Sequence, residues 1–209
     1  TRFATIRFNS EQFKPTIYYT TDGTNPTTAS NVYAGAFLMD AKATIKAAII
    51  NAKKSAPDSI LINFHKAFNK PVTYNIPFSK GYPAAGASTL VNGYRGSLTY
   101  QDGQWQGFTT NMDVVIDLQK IDTIHLVQAN FMQIIGPGVY MPKYIEVQTS
   151  VDGINYTNQG RDNNSVSPTE SSLLFKDFKI QMKPTAARYI KFVSKLQSGF
   201  QFIDEIIVE

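Results

Sequence analysis

Two segments, Tyr18-Tyr19-Thr20-Thr21-Asp22-Gly23 and Val147-Gln148-Thr149-Ser150-Val151-Asp152-Gly153, each run an alternating strand straight into an Asp-Gly pair. Asp-Gly supplies the positive φ angles of a tight hairpin, so each segment predicts two antiparallel strands joined by a short reversal. The residues around the two segments differ, which marks two β modules rather than one unit repeated. Thr, Asn, Tyr, Phe, Ile and Val are abundant and no amphipathic helix of useful length stands out, so the expected class is all-β. There are no cysteines among the 209 residues, so each module must rely on its own apolar core, for which a hydrophobic content of 43% is sufficient.

Residues 1–68 read as a small antiparallel sandwich of short strands. Alternation runs from 3 to 8 and from 16 to 20 into the first Asp-Gly, and further strands are expected at 32–38, 43–50 and 59–65, after a polar break at 51–58. A module of this size is marginal alone and is expected to pack on a neighbour. The pattern changes around Phe68-Asn69-Lys70-Pro71, which places the second module at 69–209. Its first strand, 72–76, is confined by Pro71 and Pro77 to an edge or to strand ends. Residues 81–107 are rich in Gly, Ala, Tyr and Ser with little periodicity, the kind of long loop that tends to carry function. Strands expected at 113–118, 123–129, 143–150, 174–181, 188–194 and 202–208 make this module an antiparallel sandwich or jelly roll.

The net charge of +4 comes wholly from residues 1–68, which hold eight Lys/Arg against four Asp/Glu; residues 69–209 hold twelve of each. The basic residues of the first module are scattered rather than gathered into a stripe, which argues against a nucleic-acid partner. No stretch has the apolar length of a membrane span, so no membrane insertion is expected. The first residue is Thr, which reads as a piece of a longer protein. His65 and His125 have no second His or Cys at ligand spacing and read as hydrogen-bonded structural histidines. Phosphate loops, nucleophile elbows and dinucleotide fingerprints are missing from the sequence. Asp204-Glu205, the one adjacent Asp–Glu pair, lies in a terminal strand whose successive side chains should point to opposite faces, so no catalytic residue is nominated.

Ile17-Tyr18-Tyr19-Thr20-Thr21-Asp22-Gly23-Thr24-Asn25-Pro26-Thr27, followed by Tyr33-Ala34-Gly35 and Thr44-Ile45-Lys46-Ala47, resembles the C-terminal module of chitobiases and β-hexosaminidases. The series Leu90-Val91-Asn92-Gly93, Trp105-Gln106-Gly107-Phe108, Val114 to Leu118, Pro142 to Val147, Ala187 to Phe192 and Phe202 to Ile206 resembles a coagulation factor five/eight type C, or discoidin, domain. Together they are similar to the tail of a bacterial family 20 glycoside hydrolase without its barrel. The resemblance implies a small β-sandwich followed by a discoidin-like jelly-roll sandwich. It also implies a non-catalytic accessory role, the catalytic domain of the same parent chain as partner, and a secreted, periplasmic or cell-surface location.

Carbohydrate-binding relatives carry aromatic and polar side chains on loops at one end of the barrel, which suits a pyranose face and its hydroxyls. Here the resemblance nominates Tyr94, Arg95 and Trp105 from 94–105, Phe131 from 130–142, Arg161 from 158–165, and Phe200, where related tails commonly have Trp. The implied ligand is a GlcNAc- or galactose-containing glycan. For Trp105 a core-capping role stands beside the sugar role, and Ile134-Ile135 reads equally as an interface patch or as residues folded under the barrel. No cofactor is expected except a structural calcium, for which the resemblance nominates Asn92 and Glu205, with Asn92 in place of the usual Asp. The alternative is a pair of purely structural modules with no ligand.

Overall fold

The structure, a computed structural model, describes residues 4–10, 12, 14–40, 43–50, 57–62 and 64–209. It divides into two compact units, Thr1–Phe64 and His65–Glu209. The division lies N-terminal to residue 68 because the 65–69 turn belongs to the second unit. Ala67 is buried in that unit's main core, Lys66 N–H donates to Val208 O, and Asn69 N–H donates to Val91 O.

In the first unit, β1 (Ala4–Ile6) pairs with β4 (Phe37–Met39), while β2 (Ile17–Thr20), β3 (Asn31–Val32), β5 (Ala43–Ile49) and β6 (Asp58–Ile62) form a sheet ordered β3-β2-β5-β6. Ile6, Ala43 and Ile45 are its buried centre, with Phe8, Phe37, Met39 and Phe64 packed around them. Residues 32–38 were expected as one strand; they instead end β3, leave the sheet through 33–36, and enter β4 in the other sheet. The first Asp-Gly is not a tight hairpin either. β2 meets β3 at Tyr18↔Val32 and Tyr19↔Asn31, so the connection is long, and Asp22 organises it locally by accepting from Thr24 N–H and Thr24 Oγ1–H.

The second unit contains β7 (Val72–Tyr74), a 3₁₀ helix (Gly86–Val91), β8 (Gln106–Phe108), β9 (Met112–Gln133), β10 (Tyr144–Ser150), β11 (Thr157–Asn163), β12 (Leu174–Lys195) and β13 (Gln201–Val208). They pair antiparallel in the order β11-β10-β12-β9-β13-β8, with β7 also on β9. β9 and β12 are each a pair of expected strands run together. Their register breaks at Gln181/Thr185 and Ala187/Tyr189, and Gln119 takes a φ of 64° at the corner. Side chains from both halves of each strand, such as Val114 with Phe131 and Phe178 with Phe192, meet in one core, which makes the folded ribbon a sandwich. The fold is all-β, as composition and alternation imply.

The second Asp-Gly lies in the β10–β11 connection. Asp152 accepts from the backbone N–H groups of Ile154 and Asn155, from Asn155 Nδ2 and from Ser150 Oγ–H. These donors hold its carboxyl well below the usual range, the Asn155 N–H contributing most. As with Asp22, the carboxylate rather than a two-residue turn shapes the reversal.

Candidate functional site

The Asp204-Glu205 pair sits in a β-bulge. On β13, Ile203 pairs with Phe131 and Ile206 with Ala129, so two residues span the single Asn130 of β9. The extra residue cancels the alternation expected of a regular strand, and both carboxylates turn toward the 92–96 loop. Glu205 Oε1 accepts from Gly93 N–H at 3.0 Å and from His65 Nε2 at 2.8 Å. Val208 N–H donates to His65 Nδ1, which leaves the proton on Nε2. Asp204 Oδ2 accepts from Gly96 N–H at 2.9 Å and from Arg95 Nε at 3.1 Å. Arg95 Nη2 also reaches Asp177 Oδ1 at 2.9 Å, an oxygen that accepts from Asn130 Nδ2 as well. Burial pushes both carboxyls up; for Asp204 the Arg95 charge and the Gly96 N–H oppose that shift.

The nominated calcium donors are otherwise engaged. Asn92 Oδ1 accepts from Tyr94 N–H and Glu205 Oε1 holds two donors. The oxygens without a hydrogen-bond partner are Asp204 Oδ1 and Glu205 Oε2, and no group of three or more His, Cys, Asp or Glu is placed to hold a metal among the described residues. Calcium takes six to eight oxygens, and the unpartnered side-chain oxygens here are two, with a guanidinium beside them, a donor set too small for the ion on its own.

A second cluster lies beside this anchor. Met132 and Phe202 pair across β9 and β13, and with Trp105 and Val139 they are buried outside the main core. Phe202 is the floor of an aromatic group. Tyr82 stands 4.9 Å from it, Tyr100 5.3 Å and Phe200 5.8 Å, centroid to centroid; Tyr82 also meets Phe200 edge-on at 5.4 Å. These three rings are half-buried, so each keeps part of its surface in solvent. The loop carrying Tyr82 is fixed from below: the buried Gln106 amide donates to Pro83 O and Gly86 O and accepts from Tyr74 O–H. Phe200 is fixed by backbone bonds, donating to Gly138 O and accepting from Tyr140 N–H.

Of the residues nominated from sequence, the structure brings Phe200 into this rim and leaves the others elsewhere. Trp105 is 1% exposed: its Nε1 donates to Ser97 O, its ring stacks on Phe175 at 5.7 Å, and Gly96 covers it. Enclosed in this way, it has no face left for a ligand. Phe131 is 0% exposed in the main core, edge-on to Phe178, because alternation along β9 sets it on the inner face, opposite to Met132. Arg95 is committed to Asp204 and Asp177. Arg161 lies not in a loop but on edge strand β11, over the Tyr144 ring at 3.8 Å and bonded to Glu146, with three strands between it and β13. Tyr94 is half-buried, its backbone in the Asn92 turn. Ile134 folds against the second cluster through its bridge to Val139. His65 is the expected bonded histidine, whereas the His125 side chain is exposed. The aperiodic 81–107 stretch was the available signal for Tyr82; nothing in the sequence marked Phe175 or Asp177.

Residues 3–60 match the chitobiase/beta-hexosaminidase C-terminal domain. No curated protein matches the chain. Among solved structures, chitosan-binding module 1 of a chitosanase/glucanase from Paenibacillus sp. IK-5 is 15% identical, with 70% of this chain and 99% of that one covered at a TM-score of 0.49. A CBM32-1 structure from a family 31 glycoside hydrolase of Clostridium perfringens is 18% identical, covering 67% and 93% at 0.45. SpGH29 is 13% identical and covers 69% of this chain at 0.49; the chain spans 27% of its length.

Proposed function

We propose that the chain is a non-catalytic accessory region of a β-N-acetylhexosaminidase of the chitobiase type, acting outside the cytoplasm, whose second module binds a GlcNAc- or galactose-bearing glycan. The observation that carries the glycan reading is the rim of Tyr82, Tyr100 and Phe200, three half-buried rings braced on the buried Phe202. Rigid aromatic faces with one wet side suit the apolar face of a pyranose, and the two tyrosine hydroxyls are donors and acceptors for sugar hydroxyls. The family match of residues 3–60 supports a parent enzyme of this type, in which the first module would brace the catalytic barrel. The test is a glycan array probed with the 209-residue chain and with F200A. Binding to GlcNAc- or galactose-terminated glycans that F200A weakens supports the reading, and a blank array on folded protein refutes it.

A second reading, structural modules with no ligand, is favoured by one observation. Trp105, Phe131, Arg95 and Arg161 all serve packing or ion pairs rather than a common surface. A blank array would select it.

A further inference from the structure

We infer that the Arg95 guanidinium, held between Asp204 and Asp177, is the built-in cation of the 92–105 loop, beside the pair for which the resemblance implies calcium, so that the second module folds without a bound dication. The geometry is that of a cross-link. One side chain from the loop reaches Asp204 on β13 through Nε and Asp177 on β12 through Nη2. A planar, permanently charged fork suits two carboxylates on β12 and β13, the strands that flank β9, better than a single ammonium would. Asp204 is almost wholly buried, and an unpaired carboxylate there would be strongly destabilising. Arg95 is the cation in contact with it, and Gly96 N–H adds a second donor to the same oxygen. A dication placed at the two partnerless oxygens, Asp204 Oδ1 and Glu205 Oε2, would face a fixed positive charge across one carboxylate. The remaining acceptors of the nominated pair, Asn92 Oδ1 and Glu205 Oε1, already hold N–H groups rather than a vacant cage.

The experiment uses the 209-residue chain, stripped with EDTA and then unfolded calorimetrically in excess EDTA and in excess calcium chloride. The melting temperature of the second unit is expected to be the same in both, with no saturable heat in a calcium titration. Arg95→Met should lower the folding constant by roughly 10- to 100-fold, a value discounted because Arg95 is partly exposed. Adding Asp204→Asn to it should recover most of the loss, since the uncompensated charge is then gone while Gly96 keeps an oxygen acceptor. A saturable calcium heat with a rise in melting temperature of the unsubstituted chain overturns the inference. So does an Arg95→Met protein as stable as the parent, or a double variant that recovers nothing. If Arg95→Met does not fold, the calcium comparison and the double variant still decide.

Discussion

Gly96 lies against the only tryptophan of the chain, and that contact can be tested sharply. A Cβ added at Gly96 would come within 2.1 Å of Trp105 Cε2 and Nε1, whereas carbon atoms in contact sit about 3.5–4.0 Å apart. The indole is 1% exposed and stacks on Phe175, so any retreat disturbs that stacking as well. Gly96→Ala must therefore tilt the ring or lift the loop. Overpacking of this kind costs about 1–3 kcal/mol. Either movement also stretches the Trp105 Nε1–H···O=C bond to Ser97, 3.0 Å long, worth about 1 kcal/mol. A total of about 2–4 kcal/mol should lower the melting temperature of a domain of this size by roughly 5–15 °C. Calorimetry measures the loss. Tryptophan emission reports its cause, because Trp105 is the single Trp and the emission should shift to the red as its cover loosens. A Gly96→Ala protein with parental melting temperature and emission would refute the packing of the 92–105 loop described above, and with it the argument that Trp105 is closed to ligand.

Three further outcomes are expected. Phe131→Ala should destabilise the second unit by about 3–5 kcal/mol in denaturant titrations, the cost of a core cavity, rather than act on glycan binding alone. Phe200→Ala should weaken glycan binding about tenfold or more in a direct titration while leaving the melting temperature nearly unchanged, since its ring is half in solvent. Asp152 should stabilise the β10–β11 reversal in a pH-dependent way. Its folded pKa is lowered by the Asn155 and Ile154 N–H groups, so its contribution is present above the ordinary aspartate range and lost as pH falls through the lowered value. The melting-temperature difference between the parent and Asp152→Ala should accordingly be large at neutral pH and shrink in strong acid.

Much of the architecture is legible residue by residue. Alternation in Tyr144–Ser150 and across 112–118 marks real strands, whereas the division of units falls at Phe64/His65, before the change of pattern around Phe68-Asn69-Lys70-Pro71. Local chemistry carries that information, because which residues alternate and where proline forbids a ladder bond depend on near neighbours. The site is different. Aromatic and charged residues of 94–105 look alike in sequence whether they face sugar, core or a carboxylate. Arg95 turns inward to Asp204, which the bulge at Asp204-Glu205 sets on the same side as Glu205, and a bulge is a property of the pairing between β13 and β9 rather than of either strand alone. Phe131 and Met132 are adjacent and equally apolar, yet opposite faces of β9 send one to the main core and the other beneath the aromatic rim. Tyr82, Tyr100 and Phe200, far apart in the chain, share one buried neighbour only once the sandwich closes. Local pattern thus carries the class of fold, the presence of two modules and the residue types available for binding. Which of those residues meet depends on strand register and close packing across the sheet, which set the face each side chain occupies.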